Sequence, residues 1–201
     1  RTLVTELGGQ VLDERLIGDI AYLGFLVEMP APGVQRLLDA VPAPLLRSER
    51  VMLLRPQGQA MSRVTDTAPQ LPDAAVPQQL TSGSPIVAML DGLPLANHPR
   101  LQGRLIVDDP DQWADTYPVA ARVHGTAMAS LIAWGELDSA SGALAAPIYV
   151  RPIMRPEQGS NSQVECTPDD RLRIDLVHVA VRRMFEGTPA VPAAAPTVKV
   201  I

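Results

Sequence analysis

The sequence predicts an α/β protein with a parallel β-sheet, preceded by a smaller α+β segment. Short apolar runs alternate with segments of helical periodicity along most of the chain. The 20 prolines separate these segments into compact elements, and hydrophobic residues make up 46% of the chain, which is enough to bury a core. Alternating strands and helices favour parallel strands with right-handed crossovers and helices on both faces of the sheet.

The first part of the chain predicts a strand, a helix and a second strand. Residues 20–29 alternate in polarity, which predicts a half-buried strand whose apolar side comprises Ala21, Leu23, Phe25, Val27 and Met29. Residues 32–41 have apolar side chains at helical spacing after a favourable proline, and residues 50–55 form another apolar run. We therefore expect a small α+β domain over residues 1–61.

A change of composition separates this part from the rest. Residues 62–83 are rich in Thr, Pro, Gln, Asp, Ser and Gly and show little periodicity, which predicts a linker. A second domain then covers residues 84–201.

The second domain has the pattern of a parallel sheet. The continuous apolar run at residues 85–90 predicts a strand covered on both faces, and Asp91 and Gly92 end it. The last helix is predicted to begin at Thr167 as N-cap, with Pro168 at its first position and Asp170 in the first turn. Its expected apolar stripe is Ile174, Val177, Val181 and Met184. Further strands are expected at residues 105–107, 148–153 and 197–201, and a helix at residues 124–133.

Composition excludes several functional classes. The net charge of −5 and the lack of Lys and Arg interleaved with aromatics argue against a nucleic-acid partner. No apolar run approaches the roughly 20 residues that span a membrane. Cys166 is the single cysteine, so intrachain disulfides and multi-cysteine zinc sites are excluded. A cytoplasmic location is expected; secretion stays open because the chain begins with Arg1 and looks truncated there.

Asp91 and His124 are the candidate catalytic residues. Asp91 follows a buried strand, and the carboxyl ends of strands in open parallel sheets are where functional groups gather. His124 opens a predicted helix, and a carboxylate bonded to one ring nitrogen would leave the other nitrogen as a general base. Taken singly, Asp-Gly is also an ordinary turn and His124 could be structural, as we expect for His98 and His178.

The two segments together resemble the subtilisin-like serine peptidases. The residues concerned are Ile86-Val-Ala-Met-Leu-Asp91-Gly-Leu-Pro-Leu-Ala-Asn-His98-Pro99 and His124-Gly-Thr-Ala-Met-Ala-Ser. The resemblance implies a subtilisin-like parallel-sheet domain that hydrolyses polypeptide substrates, with Asp91 orienting His124 and His124 activating a serine hydroxyl. Two departures are Gly92, where the family usually has Thr or Ser, and Ala127, where it has a second His.

The resemblance also sets limits on what this chain can do. The family order is Asp, His, Ser, and no Gly-Thr-Ser-Met-Ala segment is present, so the nucleophile and the oxyanion-hole Asn are expected beyond Ile201. Ser84, Ser130, Ser139 and Ser141 do not match that motif. The 201 residues alone are therefore expected to be inactive.

The family has further features that the resemblance makes relevant to this chain. Residues 1–61 could be a ferredoxin-like prodomain, with self-cleavage in the linker, or a general accessory domain. No cofactor is required. Calcium often stabilises the family, but no site is assigned, and Asp108, Asp109, Asp111 and Asp115 are expected to be a solvated loop.

Two other functional classes compete with the peptidase. A catalytically inactive, protease-like module that binds polypeptides is the main alternative, and the residue at the serine position would distinguish it from the enzyme. A phosphatase of the haloacid dehalogenase class is disfavoured because Met89 would occupy the nucleophile position.

Overall fold

The computed structural model describes residues 1–39, 51, 53–58, 61–63, 81–135, 142–156 and 164–201. These fall into two compact units. The first comprises residues 1–59 and 169–176, and the second comprises residues 60–168 and 177–201. The division passes through the last helix, α4 (Arg173–Phe185), so a short stretch near the end of the chain clusters with the first unit.

The first unit contains a β-hairpin between two helices. Helix α1 (Thr2–Glu6) precedes strands β1 (Gln10–Ile17) and β2 (Tyr22–Glu28), which pair antiparallel, and helix α2 (Ala31–Asp39) follows. A 3₁₀ turn, Gly18–Ile20, connects the strands. Strand β2 confirms the predicted strand at residues 20–29 apart from its ends, whereas β1 was not predicted. Helix α2 confirms the predicted helix at residues 32–41 as far as Asp39, and its last two predicted residues lie outside the described part of the chain.

The predicted buried side of strand β2 was wrong. Leu23 and Phe25 are exposed, whereas Gly24 and Leu26 on the other face are buried. The buried face is shared with Asp13 and Arg15 of β1, which bind residues 169–176: Asp13 accepts the backbone N–H of Leu172 at 2.8 Å, and Arg15 pairs with Asp175 at 2.6 Å. Both polar contacts therefore lie on the buried face, which is not the face that apolar alternation predicts.

The predicted strand at residues 50–55 is not found among the residues described. Val51 and residues 53–55 form no strand, and Arg50 and Met52 lie outside the described residues. The ferredoxin-like assignment therefore rests on fewer elements than predicted. Most of the predicted linker, residues 64–80, also lies outside the described part of the chain.

A parallel sheet forms the centre of the second unit. Strands β4 (Val87–Asp91), β5 (Leu105–Val107) and β6 (Ile148–Pro152) lie in the order β4-β6-β5, and both pairings are parallel. On the free side of β4, Ala88 donates its N–H to Val200 at 2.8 Å, which makes the end of the described chain a further parallel neighbour. This part of the structure confirms the predicted α/β class with a parallel sheet.

Helices cover both faces of this sheet. Helix α3 (Val123–Trp134) packs through Ala129, Ala133 and Trp134 on Met89 and its neighbours. The opposite face, with Ala88 and Tyr149, packs against Met184 of α4. Helix α3 agrees with the helix predicted at residues 124–133. Two further 3₁₀ turns, Trp113–Asp115 and Val119–Ala121, precede it.

Helix α4 begins later than its sequence predicts. The Thr167, Pro168 and Asp170 pattern predicts a start near Pro168, but the helix begins at Arg173. Leu172 precedes it, and its N–H is capped by Asp13 from a distant strand rather than by a local side chain. The predicted apolar stripe is also only partly buried, since Met184 is buried while Ile174 and Val177 are exposed.

A small antiparallel sheet completes the second unit. Strand β8 (Val164–Cys166) lies between β7 (Arg155–Pro156) and β3 (Met61–Arg63). Strand β3 pairs Ser62 with Glu165. The start of the predicted linker is therefore ordered as an edge strand beside Glu165.

Candidate active site

Asp91 occupies the carboxyl end of strand β4, where the strand order reverses. From β4 the chain forms β5 and β6 on one side and later returns to the other side of β4 at Val200. Open α/β sheets place ligands at such a reversal, outside the carboxyl ends of the strands. The main chain of Asp91 is fixed by the N–H of Ile153, which donates to its carbonyl oxygen at 2.8 Å. The site predicted from the buried run therefore lies at this edge of the sheet.

The structure brings His124 directly to Asp91. The Nδ1 atom of His124 lies 2.8 Å from Oδ1 of Asp91, and the same oxygen accepts the backbone N–H of Gly92 at 2.6 Å. The side chain of Asp91 is 12% exposed and that of His124 is 32% exposed. With the proton on Nδ1 donated to Asp91, the neutral imidazole has its lone pair on Nε2. This arrangement allows His124 to act as a general base.

A glycine in the first turn of helix α3 allows this approach. A Cβ added to Gly125 would overlap the carbonyl oxygen of Gly92 and would lie 2.8 Å from the carbonyl carbon of the same residue. The start of helix α3 therefore lies directly against the turn that follows Asp91. Only a residue without a side chain at position 125 permits this backbone contact.

Thr126 connects the same two segments. Its hydroxyl accepts the backbone N–H of Leu95 at 2.9 Å and donates to the carbonyl of Arg122 at 2.5 Å. The His124-Gly125-Thr126 sequence therefore supplies one candidate base, one close contact and one link to the loop after Asp91. Each residue of this motif has a separate structural role.

Sequence reasoning missed two residues of the site, Glu165 and Tyr117. Glu165 is completely buried; one of its carboxylate oxygens accepts the backbone N–H of His124 at 3.1 Å, and the other accepts the hydroxyl of Tyr117. A Cβ added to Gly92 would overlap this carboxylate and lie 2.8 Å from the Tyr117 hydroxyl oxygen. The available signal was a single acidic residue between apolar neighbours in the run Val164-Glu165-Cys166.

Burial determines the protonation tendencies of this pair. Desolvation raises the pKa of Glu165, although the hydrogen bonds from Tyr117 and from the backbone of His124 act in the opposite direction. Desolvation also raises the pKa of Tyr117, and the hydrogen bond to Glu165 and its nearby charge add to this effect. The phenol therefore stays protonated and donates to the carboxylate.

The predicted solvated loop at residues 108–115 was partly wrong. Asp108 forms an ion pair with Arg183 at 2.5 Å and accepts the Tyr149 hydroxyl at 2.6 Å, and Asp111 pairs with the buried Arg151 at 2.6 Å. These two carboxylates bind basic side chains, although Asp111 is also partly exposed to solvent. Within the described parts of the chain, no group of three or more His, Cys, Asp or Glu side chains could hold a metal ion.

The other predicted residues do not join Asp91 and His124. The Nδ1 atom of His98 accepts the backbone N–H of Arg100 at 3.3 Å, which is a local contact within its own turn. Ser139 lies outside the described residues, as does Ser141, and among the described residues no serine hydroxyl is bonded to His124. In the same ranges, no helix has the length and apolar character needed to cross a bilayer.

Comparisons with known proteins add no relative to this description. A scan against protein-family models, a search of curated proteins and a search of solved structures each gave no match to this chain.

Proposed function

We propose that this chain is the Asp and His portion of a subtilisin-type serine endopeptidase. The observation that supports the proposal is the hydrogen bond between His124 Nδ1 and Asp91 Oδ1, 2.8 Å long, at the carboxyl end of a parallel strand. The two residues come from separate segments whose sequences both resemble that family. The nucleophilic serine of the proposed triad lies C-terminal to Ile201.

The proposed reaction uses the imidazole as a proton carrier. Nε2 of His124 takes the proton of the serine hydroxyl as its oxygen attacks the peptide carbonyl carbon, and an acyl-enzyme forms when the amine leaves with that proton. Asp91 accepts the Nδ1 proton throughout, which keeps the reactive tautomer and stabilises the imidazolium. Water then attacks the acyl-enzyme by the same proton route and releases the acid.

The first unit is proposed to be a prodomain, and the position of strand β3 supports this. Met61–Arg63 follows the first unit in sequence and pairs as an edge strand with β8, whose Glu165 binds the backbone of His124. A chain segment beside the site is a reasonable place for self-cleavage. N-terminal sequencing of the natural protein after activation should find a new terminus within residues 62–83; an intact N-terminus on fully active protein would contradict the prodomain assignment.

A polypeptide-binding module without catalysis is the second candidate. Asp91 also has an ordinary structural use, since it closes its own turn by accepting the N–H of Gly92. Such a module would keep the fold and the Asp91–His124 contact but would have no serine in position to attack.

A fluorophosphonate probe separates the two candidates. It should label the natural full-length protein at a serine C-terminal to Ile201, and His124→Ala should abolish the labelling because the hydroxyl loses its base. His98→Ala is the matched control, because His98 makes only a local turn contact, and it should label normally. A folded full-length protein that does not react would support the binding module instead.

A further inference from the structure

Glu165 is a buried carboxylate that takes no part in the proton transfers of the proposed reaction. It is fully buried, and its two hydrogen bonds go to the backbone N–H of His124 and to the hydroxyl of Tyr117. Because a charge is costly to bury, such a carboxylate is expected to have a specific role. Its contacts indicate that role.

Glu165 and Asp91 bind different parts of His124. Asp91 accepts the imidazole Nδ1–H and the backbone N–H of Gly92, whereas Glu165 accepts the backbone N–H of His124. The first N–H groups of a helix have no partner within the helix, and His124 is the second residue of α3. Glu165 therefore fixes the main chain of the residue whose ring is bonded to Asp91.

Gly92 belongs to the same arrangement. A side chain at position 92 would overlap the carboxylate of Glu165. The chain departs from the usual Asp-Thr-Gly or Asp-Ser-Gly pattern at this position, so the absence of that side chain provides the space that the carboxylate occupies. Gly92, which departs from the family pattern, and the buried Glu165 therefore belong to the same structural feature.

We propose that Glu165, oriented by Tyr117, is a positioning residue that places the His124 imidazole for proton transfer by anchoring its backbone N–H. This inference rests on the proposed function. Glu165 acts through the main chain of His124 and through its capacity to accept a hydrogen bond. Tyr117 keeps the carboxylate in the required orientation by donating to its second oxygen.

Two substitutions of Glu165 test the acceptor directly in the natural full-length protein. Glu165→Met fills a similar volume without an acceptor and should lower kcat about 10- to 100-fold with little change in KM, because small misplacements of a catalytic group have effects of that size. Glu165→Gln retains an oxygen that can accept the His124 N–H and should restore most of the rate. A folded Met variant with the wild-type kcat would overturn the proposal.

Tyr117→Phe provides a milder change if the Met variant does not fold. It removes the donor to Glu165 and should lower kcat by a smaller factor. The matched control is Tyr149→Phe, which removes the hydrogen bond from the Tyr149 hydroxyl to the carboxylate of Asp108. Neither of these two residues is hydrogen-bonded to His124. Equal kcat values for the two Phe variants would contradict the proposal.

An NMR measurement tests positioning without turnover. The Nδ1 proton of His124, bonded to Asp91, should resonate far downfield in the wild-type protein and in Glu165→Gln, and it should shift or broaden in Glu165→Met and Tyr117→Phe. An unchanged resonance in both of the latter variants would overturn the inference. Failure of the wild-type protein to react with the fluorophosphonate would instead overturn the proposed function, while this NMR comparison would still test the role of Glu165.

Discussion

The Cα of Gly125 lies so close to the backbone of Gly92 that a methyl group on Gly125 would overlap the carbonyl oxygen of Gly92. The obstacle is main chain on both sides, which cannot rotate away as a flexible side chain can. The contact fixes the start of helix α3 against the turn after Asp91. It thereby sets the separation between Asp91 and His124.

Gly125→Ala should destabilise the protein even though alanine favours helices. Helix propensity alone would stabilise the variant by about 1 kcal/mol. Overlap with a rigid backbone should outweigh this and lower the free energy of unfolding by about 1–3 kcal/mol net. Urea denaturation measures the difference, and Gly142→Ala is the control because no atom lies within 4 Å of its added Cβ. A Gly125→Ala variant more stable than the wild type would contradict the close contact.

Asp91→Asn should abolish most of the proposed peptidase activity while leaving the protein folded. Asparagine keeps the shape of Asp91 but its amide favours the wrong imidazole tautomer, and loss of the corresponding aspartate in serine peptidases lowers kcat by about 10⁴-fold. Steady-state hydrolysis of a peptide substrate by the natural full-length protein measures this loss. The control is Asp115→Asn, an exposed carboxylate of the same unit. A variant within threefold of the wild type would argue against the catalytic role of Asp91.

Asp108→Asn should destabilise the protein at neutral pH and much less in acid. Burial alone would raise the pKa of Asp108, but hydrogen bonds from Arg183 and Tyr149 and the nearby arginine charges outweigh it and lower the pKa. A lowered folded pKa means that Asp108 adds stability above its ordinary value of 3.8, and that this contribution is lost as pH falls through the folded value.

The expected size of the Asp108 effect follows from its hydrogen bonds to a charged group. At pH 7 the variant should lose about 1–3 kcal/mol of unfolding free energy, since charge-assisted hydrogen bonds contribute about that much. The difference in free energy of unfolding between the variant and the wild type should become smaller as pH falls below 4, over the range where both proteins remain folded. A difference that stays constant with pH would show that the ion pair with Arg183 does not contribute through its charge.

The elements that the sequence predicted close to their observed positions are those with local patterns. The buried run before Asp91 and the helix after His124 can each be recognised within a few residues, so both elements were predicted close to their observed bounds. The pairing of Asp91 with His124 was expected only from the family resemblance of the two segments. Glu165 could not be found in this way, because its partner His124 is 41 positions away and strand β8 has only three residues. No periodicity develops over so short a strand.

The wrong predictions for helix α4 and strand β2 both concern places where contacts with residues far away in sequence differ from what the local sequence favours. Helix α4 begins at Arg173, and Asp13, 159 positions from Leu172 in sequence, accepts the backbone N–H of Leu172 just before the helix, where a local cap was not formed as predicted. Strand β2 shows the same effect, since the salt bridge of Arg15 with Asp175 lies on the face of the hairpin that is buried and not on the face that alternation predicted. Local capping and alternation rules do not include such distant partners.

Glu165→Gln should change the dependence of stability on pH in the direction opposite to Asp108→Asn. Burial raises the pKa of Glu165 despite its two hydrogen bonds. A carboxyl group whose folded pKa is raised stabilises the protein below its unfolded value, about 4.3, and that contribution is lost as pH rises through the folded value. The neutral variant has no such loss.

The free energy of unfolding of Glu165→Gln, relative to the wild type, should therefore increase between pH 4 and pH 8. Urea denaturation at several pH values measures this trend. Asp108→Asn is the control, because its stability difference from the wild type should stay nearly constant over this range and change only below pH 4. A difference that decreases with pH would mean that the folded protein stabilises the ionised carboxylate. A variant that gains stability at pH 8 would show that the wild-type protein retains a buried acid at a cost in stability, as expected for a residue kept for its role at the site rather than for folding.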